Sequence, residues 1–262
     1  SVEEAIRLLV LYVAISIVPV TRTWDSVLAS KLPDLLEPFS ALSPLLDAVR
    51  QNVLALREYV EGRRVQARTR WGEVYELLGR CMSDAQPWIA AMRDAVAQGI
   101  VKHEASIGNR AVAFEWAAKI EAKALHRVGT LYELRVACLM HGDTAGAEYH
   151  GKQAELLALR HSPRQMFYPS WASELAGWLA LRDLTGVGRV VEATRSLAAR
   201  HARWVPHLRA AEGAFELVRG DLLAARAAFS DALAQTRPHN PEGPLAVLAW
   251  TDAIAGLIAV WI

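Results

Sequence analysis

Small and apolar residues recur at helical spacing along most of the chain, and residues 213–238 show this pattern most clearly. This segment, GAFELVRGDLLAARAAFSDALAQTRP, divides into two helical stretches at Gly220-Asp221. A glycine at a helix end can take the left-handed conformation that terminates the helix, and an aspartate after it can accept from the free N–H groups of the next helix. The pattern therefore predicts two antiparallel helices that pack closely through small residues.

The same turn occurs a second time, at Gly142-Asp143. In both segments alanines follow the turn glycine by five and twelve residues, so both lie on one face of the second helix, where a larger side chain would push the first helix away. A weaker third copy is predicted at Gly188-Arg189. The alanines are Ala147 and Ala154 in one hairpin and Ala225 and Ala232 in the other.

Further helices are predicted upstream, where apolar residues again recur at helical spacing. The first two form a hairpin with a turn before Pro44, and the third carries Gly72 and Gly79 at the spacing of Gly213 and Gly220. The predicted ranges are 23–39, 42–61, 63–79, 84–100 and 109–128.

Each hairpin leaves an apolar face open, so the hairpins must stack on one another to bury it. We therefore expect an all-α fold, a right-handed α-solenoid of irregular antiparallel hairpins that continues through residues 1–262 as one array. Residues 1–62 are its divergent N-terminal helices, and residues 63–262 are the repeat hairpins. Because the chain begins with Ser1 and stops within an apolar run, we expect it to be a fragment of a longer protein.

The apolar run at 8–20, LLVLYVAISIVPV, is shorter than the roughly 20 residues that a transmembrane helix needs. The residues after it also lack the small-residue cleavage site of a signal peptide. We expect a buried helix there and no membrane span.

Composition favours helix over sheet and gives no sign of an anionic partner. Hydrophobic residues make up 53% of the chain, and the formal net charge is only +1, so no overall field favours nucleic acid or an anionic membrane. The two cysteines, Cys81 and Cys138, show no disulfide framework, which fits a reducing cytoplasmic setting. Both are expected to be buried small apolar side chains rather than nucleophiles.

Known motifs for nucleotide, metal or redox chemistry are missing from the sequence, including the P-loop, the Gly-rich dinucleotide loop, HExxH and CxxC. His103-Glu104 lacks the second histidine of a zinc helix. His141, His150 and His161 are spaced so that they do not share one helical face. We expect neither a metal nor a cofactor.

A basic cluster, Arg63-Arg64 with Arg68 and Arg70, lies beside Trp71. It is either a solvated helix face or a contact to phosphate or nucleic acid. We favour the solvated face.

The hairpin at 213–238 resembles a tetratricopeptide repeat (TPR), a helical hairpin of 34 residues. The hairpin that turns at Gly142 is similar, although Gly151 stands where the family has an aromatic residue, and Trp71-Gly72 begins a segment similar to a third first helix. The irregular style with many tryptophans is also similar to the helical sensor regions of large bacterial signalling ATPases, kinases and regulators. The residues of the main resemblance are Gly213, Gly220-Asp221, Ala225, Phe229, Ala232-Leu233 and Pro238.

The resemblance implies that a ligand lies on the concave surface made by the first helix of each repeat. Carried onto this chain, that surface is nearly apolar, and it therefore differs from TPR proteins that hold a peptide carboxylate with Lys and Asn. The residues expected there are Tyr132, Val136 and Leu139 in one hairpin and His207, Ala210, Ala214 and Leu217 in the other.

Nine tryptophans are more than a minimal helical array needs, and Trp171, Trp178 and Trp204 lie close together in sequence. They either pack irregular helices together or form an aromatic groove for a peptide or an apolar ligand. Trp171 and Trp178 are therefore candidate partner contacts.

We predict a non-enzymatic protein-interaction or sensor scaffold within a multidomain cytoplasmic signalling protein, with a protein or peptide partner on the concave face. A structural spacer between catalytic domains is the main alternative and differs only in lacking a ligand. An all-helical enzyme with an aromatic cavity would need an Asp-rich metal motif, which the sequence lacks. ATPase or kinase domains would lie outside this segment, and the oligomeric state stays open.

Overall fold

The computed structural model describes residues 27–41, 43–60, 62–81, 87–121, 126–160, 171–200, 202–236 and 244–261. Within these ranges the chain forms twelve α-helices and one short 3₁₀ helix, Ala202–Trp204, and no strand, which confirms the all-α fold. The α-helices are α1 (Val27–Ser40), α2 (Pro44–Val60), α3 (Arg64–Cys81), α4 (Pro87–Ser106), α5 (Arg110–Ala118), α6 (Arg127–Leu139), α7 (Thr144–Arg160), α8 (Trp171–Ala180), α9 (Leu184–Ala198), α10 (Val205–Arg219), α11 (Leu222–Gln235) and α12 (Pro244–Trp261).

Five hairpins share one kind of turn, which joins each even-numbered helix from α2 to α10 to the odd-numbered helix after it. In each turn one residue has a positive φ, and the N–H of the next residue donates to the carbonyl five positions earlier, at 2.8–3.0 Å. This pair of features is the Schellman pattern of helix termination. The repeat therefore extends beyond the hairpins that the sequence singles out. The positive-φ residues are Gly62, Gly108, Gly142, Arg182 and Gly220.

The two best-predicted turns have the expected geometry. Gly220 has a φ of 90°, and the Asp221 carboxylate accepts from the N–H of Ala224 at 3.0 Å. Gly142 has a φ of 72°, and Asp143 accepts from the N–H three residues further on, at 2.8 Å. The predicted hairpins at both positions are confirmed.

Close packing in the hairpin of α10 and α11 depends on the predicted small residues. Ala225 and Ala232 are fully buried, and Phe229 is 2% exposed. A Cβ atom on Gly213 would lie 2.8 Å from Cδ1 of Phe229, closer than side chains tolerate. Glycine at this position therefore lets the aromatic ring lie directly against the backbone of α10.

The even-numbered helices contact one another in succession. The series of contacts runs from α4 through α6, α8 and α10 to α12, and α12 also touches α2. The odd-numbered helices make their extensive contacts only with even-numbered helices adjacent in sequence. The described helices thus form two series, with the even-numbered one continuous and the odd-numbered one packed against it.

The buried apolar residues form two large clusters that meet at α6. The first extends from Leu36 in α1 to Ala137 in α6, and the second from Cys138 in α6 to Phe229 in α11. A small third cluster joins Ala210 and Ala232 to Ala253 in α12. Burial therefore continues along the array instead of concentrating at one centre.

The predicted turn at Gly188-Arg189 is wrong. Gly188 lies inside α9, and the turn is at Arg182-Asp183, where Arg182 has a φ of 51° and Asp183 caps α9 through the N–H of Gly186. An arginine at the left-handed position hid this turn from a search based on glycine.

Two other local predictions need correction. The helix predicted at 109–128 is two helices, because α5 ends at Ala118 and the next two N–H groups bond carbonyls only three residues back, a tightening typical of helix ends. Gly72 and Gly79 both lie inside α3, which is the second helix of its hairpin and not the first.

The N-terminal pair, α1 and α2, matches the hairpin predicted at 23–39 and 42–61. The apolar run at 8–20 lies outside the described residues. Within the described ranges, every helix is too short or too polar to cross a bilayer.

Candidate functional site

A groove of about 570 Å³ lies between α9, α10 and α11. Helix α10 forms its floor, because it is the one that contacts both of the others extensively. The residues that line it are Gly188, Val191, Glu192 and Arg195 of α9, Arg209, Glu212, Phe215 and Glu216 of α10, and Ala224, Ala227, Ala228 and Asp231 of α11.

Small residues create the space at one end of the groove. There the ring of Phe215 lies on the floor, and a Cβ atom on Gly188 would only just reach it, at 3.5 Å from Cε2. The opposite wall offers Ala224, Ala227 and Ala228, whose side chains end at the Cβ atom. This end of the groove is therefore an apolar slot with room above Phe215.

A chain of ion pairs crosses the other end of the groove. Arg195 of α9 contacts both Glu192 and, at 3.2 Å, Glu212 of α10. Glu212 also holds Arg209 at 2.8 Å, and Arg209 reaches Asp231 of α11 at 3.0 Å. The pairs thus connect all three helices.

The electrostatic balance of the groove is negative. Four carboxylates line it, those of Glu192, Glu212, Glu216 and Asp231, against the two guanidinium groups of Arg195 and Arg209. Arg219, which does not line the groove, pairs with Glu216 at 2.7 Å, so these groups together carry one net negative charge. Hydrogen bonds to the Glu212 and Glu192 carboxylates raise the pKa of Arg195 above its usual value, so its charge is fixed. What the groove offers is an apolar slot beside carboxylates that are only partly neutralised.

The contact residues predicted on α10 lie on the opposite side of that helix from the groove. His207, Ala210 and Ala214 are buried, at 6%, 2% and 1% exposed, and Leu217 is partly buried against the second core cluster. His207 packs beside Trp204, with ring centroids 5.1 Å apart. These four side chains contribute to packing between helices.

The predicted contacts on α6 and α8 are also mostly in the interior. Val136 and Leu139 are fully buried, and Trp178 is 8% exposed. Tyr132 is half-buried, and burial, followed by the charges of Glu155 and Glu174, raises the pKa of its hydroxyl. Trp171 is the first residue of α8, and its side chain lies outside the described part of the structure.

A buried carboxylate that the sequence does not reveal lies next to Tyr132. Glu133 of α6 is 5% exposed, and its Oε2 has no hydrogen-bond partner among the described residues. Burial raises the pKa of Glu133 to about 7, opposed by Lys102 of α4 and reinforced by Glu174 of α8. Glu174 is itself 5% exposed and lies 3.6 Å from Arg135. A glutamate among apolar residues at helical spacing looks the same in the sequence whether it is buried or exposed. The burial of Glu133 and Glu174 could therefore not be predicted.

Two of the four arginines in the basic cluster before Trp71 are held by carboxylates. Arg68 pairs with Glu104 at 2.8 Å, and Arg70 holds both carboxylate oxygens of Glu58 at 2.8 and 2.9 Å. Hydrogen bonding to Arg70 lowers the pKa of Glu58 below its usual value. Arginines held in this way are poor contacts for phosphate.

The histidines and cysteines considered in the sequence do not gather into one cluster in the described ranges. His141 Nε2 lies 2.6 Å from the Gly108 carbonyl, His150 packs against Phe114, and His161 lies outside the described residues. No group of three or more metal-binding side chains comes together there. Both cysteines are free; Cys138 is buried as predicted, and burial raises its thiol pKa, whereas Cys81 is partly exposed.

Comparison with known proteins gives no relative from which a function could be transferred: no family model, no curated protein and no solved structure matches the chain.

Proposed function

We propose that this chain is a non-enzymatic interaction scaffold that holds a segment of a partner protein in the groove between α9, α10 and α11. The observation that carries the proposal is the groove itself, about 570 Å³ with an apolar slot over Phe215 at one end and charged side chains at the other. Binding sites generally combine an apolar surface with a few polar groups that fix orientation, and this volume is within their usual range.

The repeated hairpins are the scaffold in this proposal. Five identical turns and a continuous series of even-numbered helices support a right-handed α-solenoid of TPR-like hairpins. In such an array each hairpin is supported by its neighbours, so a groove between helices keeps its shape. We place the array in a larger cytoplasmic signalling protein, where occupation of the groove would bias an output domain.

The groove is a better candidate than the face predicted from sequence. A partner can bind only what it can reach, and Val136, Leu139, Ala210 and Ala214 are at most 2% exposed. In contrast, the side chains of Glu192, Arg195 and Asp231 are 71%, 48% and 47% exposed. Tyr132 remains a candidate contact on the even-numbered side, since it is half-buried beside the polar groups of α8.

The ion-pair chain also supports a second function, that of a structural spacer. The pairs of Arg195 with Glu212 and of Arg209 with Asp231 tie α9 and α11 to α10. A spacer would need such cross-links and no ligand. The two functions therefore predict different results in a binding experiment.

In the first step of the test, a library of random displayed peptides is selected for binding to the whole chain. The affinities of enriched peptides are then measured by fluorescence anisotropy for the wild type, Ala227→Leu and Ala111→Leu. Ala227 is an exposed groove alanine, so leucine there fills the groove without disturbing the core, and Ala111 is an exposed alanine of α5, away from the groove.

We expect Ala227→Leu to weaken binding at least about tenfold and Ala111→Leu to leave it unchanged, because loss of a few apolar contacts costs on the order of 1–3 kcal/mol. If no peptide is enriched, or if both variants bind equally well, the spacer is the better account.

A further inference from the structure

The chain fills an equivalent groove elsewhere with its own side chains, and these show which chemistry fits. Between α3 and α5, over α4, Tyr75 and Trp116 meet edge to face with ring centroids 4.9 Å apart. The guanidinium of Arg93, on α4, lies 4.0 Å from the centroid of the Tyr75 ring and against Gly79. An aromatic pair and an arginine thus fill the space between two successive odd-numbered helices there, whereas α9 and α11 leave such a space open.

The open groove lacks such residues on its own walls. Gly188, Ala224, Ala227 and Ala228 occupy the walls, and among the described residues Phe215 is the one aromatic side chain that lines the space. An apolar side chain supplied from outside could lie on Phe215, as Trp116 lies against Tyr75. Such contacts between aromatic rings add to the gain from burial.

The charged groups of the groove favour one kind of guest residue next to the apolar side chain on Phe215. Each groove arginine already has two carboxylates, since Arg195 contacts Glu192 and Glu212 while Arg209 contacts Glu212 and Asp231. An acidic guest would have to compete with these pairs. A basic guest would meet Glu192 and Asp231, two exposed carboxylates that each have one arginine partner, and complementary charge favours such an encounter.

We propose that the partner segment held in the groove presents an arginine or lysine beside an apolar side chain, with the basic group at Glu192 and Asp231 and the apolar group on Phe215. This assignment rests on the proposed function, because it names the occupant of the same groove. It places the interaction in the class of basic-apolar peptide recognition.

The composition of the peptides enriched on the whole chain tests the proposal. Their affinities are measured for the wild type, for the double variant Glu192→Gln with Asp231→Asn, and for Glu76→Gln as a control at an exposed acidic position on α3. We expect enriched peptides to carry Arg or Lys next to an apolar residue. The double variant should bind them about threefold to tenfold more weakly, and raised salt should remove most of that difference.

The outcomes separate this inference from the proposed function. Enriched peptides that are acidic or uncharged, yet lose affinity for Ala227→Leu, would overturn the basic occupant and leave the groove as a binding site. Basic peptides that bind the double variant as tightly as the wild type would also overturn it. If no peptide is enriched, the binding function and the occupant fall together.

Discussion

Replacing the buried Glu133 by glutamine should stabilise the protein at neutral and alkaline pH. The carboxyl is 5% exposed, and one of its oxygens has no hydrogen-bond partner among the described residues. Burial disfavours its charge, Lys102 offsets part of this effect, and Glu174 adds a smaller repulsion. Its pKa accordingly rises from the ordinary value of 4.5 to about 7 on folding. Ionisation of Glu133 is therefore costly in the native state.

The magnitude follows from proton linkage. Each pKa unit corresponds to about 1.4 kcal/mol, so a rise from 4.5 to about 7 costs the native state about 3 kcal/mol once the pH exceeds both values. Between these pH values the native state binds more protons than the unfolded state, so the contribution of Glu133 to stability falls as pH rises. Glutamine has nearly the same shape and never ionises, which removes this dependence.

The titration of His126 changes the free energy of unfolding in the opposite direction to that of Glu133. It therefore hides part of the contribution of Glu133 in the wild-type protein. Burial lowers the pKa of His126 from 6.5 to about 4, so the unfolded state binds more protons in that interval and stability rises with pH. The two opposing contributions are of similar size. Asp94, whose pKa burial raises to about 6, adds a further fall in stability as pH rises, so the contribution of Glu133 is obtained from the difference between Glu133→Gln and the wild type and not from the slope of the wild-type curve.

The assay is urea denaturation followed by tryptophan fluorescence, from about pH 4.5 to about pH 8. We expect the free energy of unfolding of Glu133→Gln to exceed that of the wild type by about 3 kcal/mol at the alkaline end, and the difference to close towards the acidic end. Glu76→Gln, at an exposed position, should follow the wild type throughout. A constant difference between Glu133→Gln and the wild type across the range would refute the reasoning, since only a titrating group can produce the convergence.

Four further substitutions test the packing and the turns by the same denaturation assay. Arg182→Gly should raise the free energy of unfolding by about 0.5–1 kcal/mol, because Arg182 has a φ of 51° and glycine adopts this conformation without strain. This value is net of the conformational entropy that glycine adds to the unfolded chain. Gly220→Ala should lower it by about 1 kcal/mol through the positive φ alone, since a Cβ there would meet nothing within 4 Å. Gly213→Ala should lower the free energy of unfolding by about 1–3 kcal/mol, because the new Cβ atom would push Phe229 away. Gly188→Ala should leave it unchanged or raise it, because a Cβ atom there meets Phe215 at an ordinary contact distance. Equal effects of the two substitutions would contradict the packing described for these glycines.

The fold was predictable wherever a local rule decides it. Gly142 and Gly220 lie at helix ends and are each followed by an aspartate, and one turn of four residues fixes both the end of one helix and the cap of the next. The turn at Arg182 has the same backbone geometry but breaks the residue preference, because tertiary packing can impose a positive φ on an arginine. Such a residue is visible only in the structure.

The groove was not predictable, for a related reason. When Gly188 is interpreted as a turn, it is placed outside the helix that carries Val191, Glu192 and Arg195, although all four line the groove from α9. The register of α9 against α10 then stays unknown, and the charges of Arg195 and Glu212 cannot be brought together. Likewise, the face predicted to bind a partner was chosen by analogy, and burial in the even-numbered series depends on contacts between distant helices that no local pattern contains.

The contrast between the filled and the open groove bears on function more directly than the repeat itself. A spacer would use the ion pairs that cross the groove, but it would gain nothing from the empty space over α10. Over α4 the chain fills such a space with Arg93, Tyr75 and Trp116. Over α10 it places glycine and alanine on the walls and holds its two arginines at one end through carboxylates. This arrangement leaves a space fixed in shape and negative in charge, which an inert spacer does not require and a site for a basic partner does.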